Sequence, residues 1–374
     1  EGAWVEVLRP LRVLIVHGGG DSRRLPAYGP CGKLFIPMPG EGDSAVAPTL
    51  FDCQLPTYLS LPSPPEGTGQ VVVTSGDVLL RFDSGEVRFE AAGLTGLGCR
   101  SDPRRASHHG VYCAEADGRV RAYLQKPPEA VQAEAGAIDR YGQSILDIGV
   151  MQFDAALAAA LLGVFEVDCR AEGRLGWGGA LGEAIASAGL DFYREICCAL
   201  GSGTTAGDYL AAVRAAGSGW GEAALRRLFE ALKGTAFWVQ VLPRCEFVHF
   251  GTTRQIIDGG LDYQRAASGV SPTESCLSIR NAVGDGGRLS GRRAWVEACE
   301  VLAPLTLGGE NVAVGLEVNE PTTLPAGACV DVLPGRGRDG RAVWFVRCYG
   351  VADPFKERGS VEATFHGRPL MAYL

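Results

Sequence analysis

No stretch of about 18 consecutive apolar residues occurs in the 374 residues, so the pattern offers no transmembrane helix. The opening EGAWVEVLRP lacks the charged-then-apolar layout of a secretory leader, and the expectation is a cytoplasmic protein without a membrane partner. There is no run of Lys or Arg, and a formal net charge of −8 argues against nucleic acid as a partner. Twelve cysteines stand singly apart from Cys197–Cys198, with no C-x-x-C spacing. That distribution fits reduced thiols filling core positions better than a disulfide frame or a zinc site. The adjacent His108 and His109 would point to opposite faces of a strand, which removes them as a zinc pair. What is present is ample core material: 46% hydrophobic against 21% charged residues, in a length that suits about two domains.

The chain is organised around residues 11–39, LRVLIVHGGGDSRRLPAYGPCGKLFIPMP. A β-type run, Val13 to Val16, empties through His17 into Gly18, Gly19 and Gly20, and Arg23–Arg24, Leu25 and Pro26 follow shortly. Consecutive glycines after a buried strand let the backbone approach something bulky and polar. Their N–H groups make an anion cradle, to which Arg24 and Lys33 add fixed positive charge. A polyphosphate is the expected ligand, and a plain tight turn is the structural alternative. Two common phosphate motifs fail here. A Walker loop needs a hydroxyl after its lysine, where Leu34 stands, and the dinucleotide fingerprint needs a third glycine, where Arg23 stands.

Three later segments add candidates. In GQVVVTSGDVLLRF the run Val71–Val73 leads to Ser75, Gly76 and Asp77. An acid at the carboxyl end of a buried strand sits where α/β sheets place ligands, and its oxygens suit Mg²⁺ against nucleotide phosphates; the alternative is a turn aspartate. Lys126, followed by Pro127, can deliver a point charge to a phosphate from the end of a β run, although a Lys-Pro pair is usually plain surface. In SILDIGVMQF, Asp147 lies between apolar neighbours, and an acid is costly to bury unpaired. A metal or hydroxyl contact would explain it.

The remainder predicts a short helix over 51–62, a strand and loop over 87–97, and an edge hairpin turned at Ala116–Asp117–Gly118. A helix is expected from Asp154 to about Phe165. Helical patterns then dominate 176–235, including one over ALGEAIASAGLDFY, followed by a strand at 237–243. Residues 247–258 read as strand, turn and a helix capped by Thr252 or Thr253. From about 275 short β-like pieces recur, and their spacing through 295–318 approaches, irregularly, the six-residue rhythm of left-handed β-helices. The expected domains are 1–240 and a β-rich 241–374.

The order of strand, G-G-G, R-L-P, G-K, S-G-D and K-P resembles sugar-1-phosphate nucleotidyltransferases. Its wording is closest to the fucose-1-phosphate guanylyltransferase and L-fucokinase family, as are H-F-G-T-T at 249–253, Gln125 before Lys126, and the ending FHGRPLMAYL. The resemblance implies a Rossmann-like, glycosyltransferase-A-like α/β domain followed by the β-rich one. It implies a reaction joining a sugar-1-phosphate, L-fucose favoured, to a nucleoside triphosphate, GTP favoured, with Mg²⁺ as cofactor. In that scheme Gly18 to Gly20, Ser75, Gly76, His109 and Gly110 contact the nucleotide, and Arg24 and Lys33 the departing pyrophosphate. Asp77 and Asp147 hold metal, Lys126 grips the sugar phosphate, and Asp147 with Gly149 lies near the sugar. Some family members carry a sugar-kinase domain after this region, so the chain is read as a free-standing transferase or the front part of a longer enzyme. A non-catalytic nucleotide-binding protein is a further alternative, against which the four charges Arg24, Lys33, Asp77 and Lys126 speak. A dinucleotide oxidoreductase is disfavoured by Arg23.

Overall fold

The most apolar runs of the sequence become the central strands of a mixed sheet. The computed structural model describes residues 2–18, 22–40, 47–90, 92–169, 173–268, 276–354 and 363–373. Two compact units interleave along the chain. Glu1–His17, Thr57–Ser75 and Arg81–Glu246 make the first; Gly18–Pro56, Gly76–Leu80 and Phe247–Leu374 make the second. This partition differs from a single cut at residue 240, because residues 18–56 and 76–80 group here with the C-terminal portion.

Up to residue 242 the strands are β1 (Arg12–His17), β2 (Gln70–Ser75), β3 (Val78–Arg81), β4 (Leu94–Ser101), β5 (Gly110–Ala114), β6 (Val120–Gln125) and β7 (Ser144–Phe153). A short ribbon, β8 (Asp168–Cys169) with β9 (Leu175–Gly176), and then β10 (Phe237–Leu242) follow. In the first unit the sheet runs β1-β2-β7-β4-β10, with β5 on β7 and β6 on β5. β1 and β2 are parallel, as are β4 and β10, whereas β7 runs antiparallel to both β2 and β4. β2 and β7 are buried almost throughout, as strands flanked on both sides and covered on both faces must be. The helix Ala155–Val164 starts where Asp154 accepts from the Leu157 N–H at 2.7 Å, as its sequence predicts.

Two expectations shift. The strand foreseen from Val87 begins only at Leu94, because Gly93 turns the chain with φ +84°. The single helix over 180–193 ends at Ala188, where Gly189 takes φ +72°. A separate π-type turn, Phe192–Ile196, follows, capped by Asp191. Its Glu195 is fully buried and accepts from Arg194 Nε at 2.6 Å, Ser218 Oγ at 2.8 Å and the Asp191 N–H at 2.8 Å. A buried acid persists only with such a set of donors.

In the second unit the helix Thr253–Ser268 begins where Thr252 Oγ1 accepts from the Gln255 N–H. β11 (Glu246–His249) precedes this helix and pairs with β3. After it come β12 (Cys276–Ile279), β13 (Ala282–Val283), β14 (Arg288–Ser290), β15 (Ala294–Glu297), β16 (Glu300–Val301), β17 (Pro304–Leu307), β18 (Asn311–Val314), β19 (Glu317–Val318), β20 (Thr322–Leu324), β21 (Ala328–Arg336) and β22 (Ala342–Gly350). They form three ladders: β12-β15-β18-β21 with β22 added antiparallel, β13-β16-β19, and β14-β17-β20. Within the ladders, Ala294 lies opposite Asn311, Glu300 opposite Glu317 and Leu305 opposite Thr322, all in parallel. Each offset is 17 residues, close to three six-residue steps. Val296, Val301, Leu305, Leu307, Ala313 and Val318 fill the interior that the ladders share.

Asn311 closes one of these turns from inside. It is fully buried, accepts from the Gly309 N–H at 2.8 Å, and donates to the carbonyls of Pro325 at 2.7 Å and Ala328 at 2.8 Å. Asn311→Ala leaves those three backbone groups without their partner. It is expected to lower stability by about 2–4 kcal/mol, seen as a lower urea midpoint with unchanged m-value.

Candidate active site

Asp77 follows the last strand residue of β2 by two positions, and its own backbone is fixed from several sides. The buried amide of Gln54 donates to the carbonyls of Gly76 and Val78. The Phe250 N–H donates to the Asp77 carbonyl at 2.7 Å. With the backbone fixed, one carboxylate oxygen, Oδ2, meets two nitrogens: Lys33 Nζ at 3.1 Å and His249 Nε2 at 3.3 Å. Burial pushes the Asp77 carboxyl up, but the hydrogen bond and charge of His249, joined by the charge of Lys33, outweigh it and hold the group well below the usual carboxylate range. Asp77 is an anion at any physiological pH.

Lys33 reaches this oxygen because the R-L-P…G-K loop is folded down rather than left open. Pro26–Tyr28 and Lys33–Phe35 are single 3₁₀ turns, joined where Gly32 N–H donates to the Tyr28 carbonyl at 2.8 Å. The buried Tyr28 hydroxyl donates to Glu297 on β15, whose Oε2 also accepts from Trp295 Nε1 at 2.9 Å. Arg24 is exposed at its side chain, while its carbonyl accepts from the Thr253 N–H at 3.0 Å and Thr253 Oγ1 at 3.2 Å. The loop is therefore tied at both ends to the later part of the chain within the same unit. Gly18 lies in open space, with nothing within 4 Å of a Cβ placed there. Gly19 and Gly20 lie outside the described residues.

The first unit holds the other candidates. Ser75 ends β2 opposite His17, and its carbonyl accepts from Tyr58 Oη at 3.2 Å. His17 Nε2 lies 3.0 Å from the hydroxyl of Tyr193, on the π-type turn. Gly149 has φ +78°, and a Cβ there would stand 2.9 Å from Ser75 Cβ. Gly110 is required by a closer approach, since its Cβ would collide with the Tyr123 hydroxyl at 1.9 Å. That hydroxyl donates to Asp147 Oδ2 at 2.7 Å, and the Gly149 N–H donates to Oδ1 at 2.8 Å. Lys126 is an exposed non-glycine residue at φ +51°, with its N–H donating to the His109 carbonyl at 3.0 Å. A lysine held in the left-handed region, immediately before a proline, is backbone strain of the kind that gathers at ligand sites.

The two acids therefore differ in kind. Asp77 is a charged oxygen donor, suited to a hard divalent cation whose remaining ligands come from phosphate and water. Asp147 has both oxygens engaged by Tyr123 and Gly149, and burial raises its carboxyl to about 6, against hydrogen bonds from both donors and from Tyr112. Among the described residues no three His, Cys, Asp or Glu side chains gather as a ready-made metal cage. The donor set fits Mg²⁺ at Asp77 as a single carboxylate anchor.

His249 and Gln54 are the contributors the motif pattern passed over. The H-F-G-T-T segment resembles the family's but reads equally well as strand, turn and capped helix, so His249 was not singled out, and a lone glutamine in a helix carries no signal for Gln54. The raised value of Asp147 gives a test. A carboxyl whose folded pKa lies above its unfolded one binds the proton more tightly in the fold, so stability falls as pH rises towards about 6. Asp147→Asn is thus expected to gain about 2 kcal/mol relative to the unmodified protein between pH 4.5 and pH 7, measured by urea unfolding at both values.

A model of the fucose pyrophosphorylase domain matches residues 5–374. The L-fucokinase/L-fucose-1-P guanylyltransferase of Bacteroides fragilis is 25% identical over 372 residues, covering 95% of this chain and 34% of that protein. The fucose-1-phosphate guanylyltransferase of Mus musculus is 26% identical over 365 residues, covering 84% of this chain and 58% of that protein. The chain thus spans about a third of the bacterial relative and under two thirds of the mouse one. A crystal structure of mannose-1-phosphate geranyltransferase from Thermus thermophilus is 16% identical, covers 74% of this chain and 65% of that one, and superposes with a TM-score of only 0.26. With the family model running from residue 5 to residue 374, the chain belongs to the fucose pyrophosphorylase domain family.

Proposed function

We propose that this protein is a sugar-1-phosphate nucleotidyltransferase, acting on L-fucose-1-phosphate and GTP to give GDP-L-fucose and pyrophosphate. One observation carries the reading: a buried lysine and a histidine converge on a single oxygen of Asp77, which joins the G-K loop to the S-G-D turn in one charged cluster. Family membership supplies the reaction class. The names of the relatives favour guanine and fucose.

The sugar phosphate oxygen attacks the α-phosphorus in line; the new P–O bond forms as the bond to the β-phosphate oxygen breaks, and pyrophosphate departs. Such chemistry asks the protein for positioning and charge neutralisation. Lys33 and Arg24 neutralise the departing pyrophosphate, and the glycine loop with Ser75, Gly76, His109 and Gly110 lines the nucleotide. Lys126 holds the sugar phosphate, while Asp147 and Gly149 shape the sugar side. Asp77 is the residue that would hold Mg²⁺, with Asp147 the weaker candidate. When bound, the ion supplies charge neutralisation on the phosphates. His249 keeps the Asp77 carboxylate ionised and fixed in direction.

The same reading takes the first unit as glycosyltransferase-A-like and the three parallel ladders as a left-handed β-helix, whose period of about three six-residue steps supports it. The protein is proposed to act in the cytoplasm. No helix among the described residues is long and apolar enough to cross a membrane. A second reading has its own support. Because the chain spans 34% of a relative that carries both kinase and guanylyltransferase in its name, it also fits the front portion of a bifunctional L-fucokinase.

Pyrophosphate release with Mg²⁺, fucose-1-phosphate and each of GTP, ATP, UTP and dTTP tests the proposal, and release with GTP above the others is expected. Silence with all four, alongside a thermal shift with GTP, would leave nucleotide binding without transfer. In the active protein Lys33→Ala and Asp77→Asn are each expected to lower kcat/KM by about 10²–10³-fold while the circular dichroism spectrum is unchanged. Lys126→Ala should raise the KM for sugar phosphate more than the KM for GTP.

A further inference from the structure

Lys126, Pro127 and Pro128 form a turn with a single backbone N–H among them, because neither proline carries one. That N–H, from Lys126, donates to the His109 carbonyl at 3.0 Å. Lys126 also stands at φ +51°, a left-handed conformation that any side chain disfavours. A turn so short of donors does not hold such a conformation by itself. The restraint comes from Gln132, on the short helix Glu129–Glu134, whose side chain is fully buried. Its amide nitrogen donates to the Pro127 carbonyl at 3.0 Å and to the Pro103 carbonyl at 2.8 Å. Its amide oxygen accepts from Oγ of Ser144, the buried first residue of β7, at 2.6 Å.

One side chain thus ties the Lys-Pro turn to β7 and to the helix Pro103–Ala106. The same helix leads to the residue that holds the other end of the turn, since the His109 N–H donates to the Ala106 carbonyl at 2.9 Å. All of these residues belong to the first unit. A buried amide with its nitrogen and its oxygen both engaged allows its partners one arrangement.

We propose that Gln132 is a positioning residue that holds Lys126 in the conformation that grips the sugar phosphate. The proposal rests on the transferase reading, which gives Lys126 that role. Fully buried, Gln132 acts through the turn and not on a substrate. Without its amide the Pro127 carbonyl loses its donor, Lys126 relaxes out of the left-handed region, and the ammonium group no longer points at a fixed place. The partners of the amide are Pro103, Pro127 and Ser144, none of them a nucleotide candidate, so the loss falls on the sugar-phosphate side.

The experiment compares the full chain with Gln132→Met, which keeps the length and removes the hydrogen bonds, and with Ser144→Ala, which removes one partner of the amide. Hydrogen exchange is read first and needs no transfer activity. The Lys126 amide is expected to exchange at least about tenfold faster in Gln132→Met, and by a smaller factor in Ser144→Ala. In steady-state transfer the KM for fucose-1-phosphate should rise about tenfold in Gln132→Met, with the KM for GTP within about twofold. In a Lys126→Ala background the same substitution should add no further rise, which a merely structural role would not produce. Unchanged exchange at Lys126 in both variants overturns the proposal, whatever the transfer rates. So does an equal rise in both KM values, or a rise that persists undiminished in the Lys126→Ala background. If Gln132→Met does not fold, Ser144→Ala decides on the same readings. Absence of transfer in the unmodified protein overturns the functional reading and with it the sugar-phosphate role, while the exchange result still shows whether Gln132 holds the turn.

Discussion

One oxygen of Asp77 holds together the most informative part of this molecule. Lys33 and His249 come from segments 216 positions apart in the chain, and they reach the same atom from different directions. A buried carboxylate without such partners would take up a proton or be driven out of the fold. A buried lysine without a carboxylate would lose its charge. Lys33 and His249 together hold the Asp77 carboxylate in its ionised form despite its burial. The cluster also commits three separate backbone segments to one arrangement: the loop after Gly32, the turn after β2, and the end of β11. Removing a single partner is worse than removing the whole cluster, since it strands a charge.

The second anchor, Tyr28 on Glu297, explains why the loop between Arg24 and Lys33 is so regular despite having four prolines and glycines. Its hydroxyl is fully buried, and burial together with the neighbouring Glu297 raises it well above the ordinary phenol range, so it remains a donor. Glu297 sits on β15 of the first ladder, and its carboxyl is raised by burial against the pull of Tyr28 and Trp295. The parallel ladders thus do more than cap the chain. They supply the acceptor on which the G-K loop is hung, and Lys33 can find Asp77 only from a loop held at that height.

Much of this was legible from residues alone, and the reason differs from case to case. The helix beginning after Asp154 was readable because a short side chain before a helical run has one common use, to cap it. Asp77 and Lys33 were readable as charges beside glycines. Their mutual contact was not, since no local pattern reports which distant side chain will share an oxygen. The late start of β4 and the break at Gly189 were hidden by runs that satisfy helix or strand periodicity on both sides of a glycine. His249 was overlooked because its segment reads equally well as ordinary strand and turn. The interleaving of the two units was invisible for a further reason: composition changes smoothly across residues 17, 56 and 75, where the chain passes from one to the other.

Asp77 and Asp147 show why residue type alone does not assign a role. Both are aspartates close to a glycine, Gly76 before the one and Gly149 two positions after the other, and both are mostly or wholly buried. Around Asp77 a lysine and a histidine nitrogen converge on one oxygen, and they hold the carboxylate in its ionised form against burial. Around Asp147 the neighbours are neutral donors, two tyrosines and a backbone N–H, which stabilise the anion less than burial destabilises it. A divalent cation competes with protons for a carboxylate, and it does so with least penalty where the proton has already been driven off. By that measure Asp77 is the better candidate to hold an ion, whereas both oxygens of Asp147 are engaged in a hydrogen-bond network. The tyrosine that satisfies Asp147 also fills the space that only a glycine at position 110 leaves open. The H-H-G-V and S-I-L-D-I-G segments are thus two sides of one packing solution, and a change in either is felt in the other.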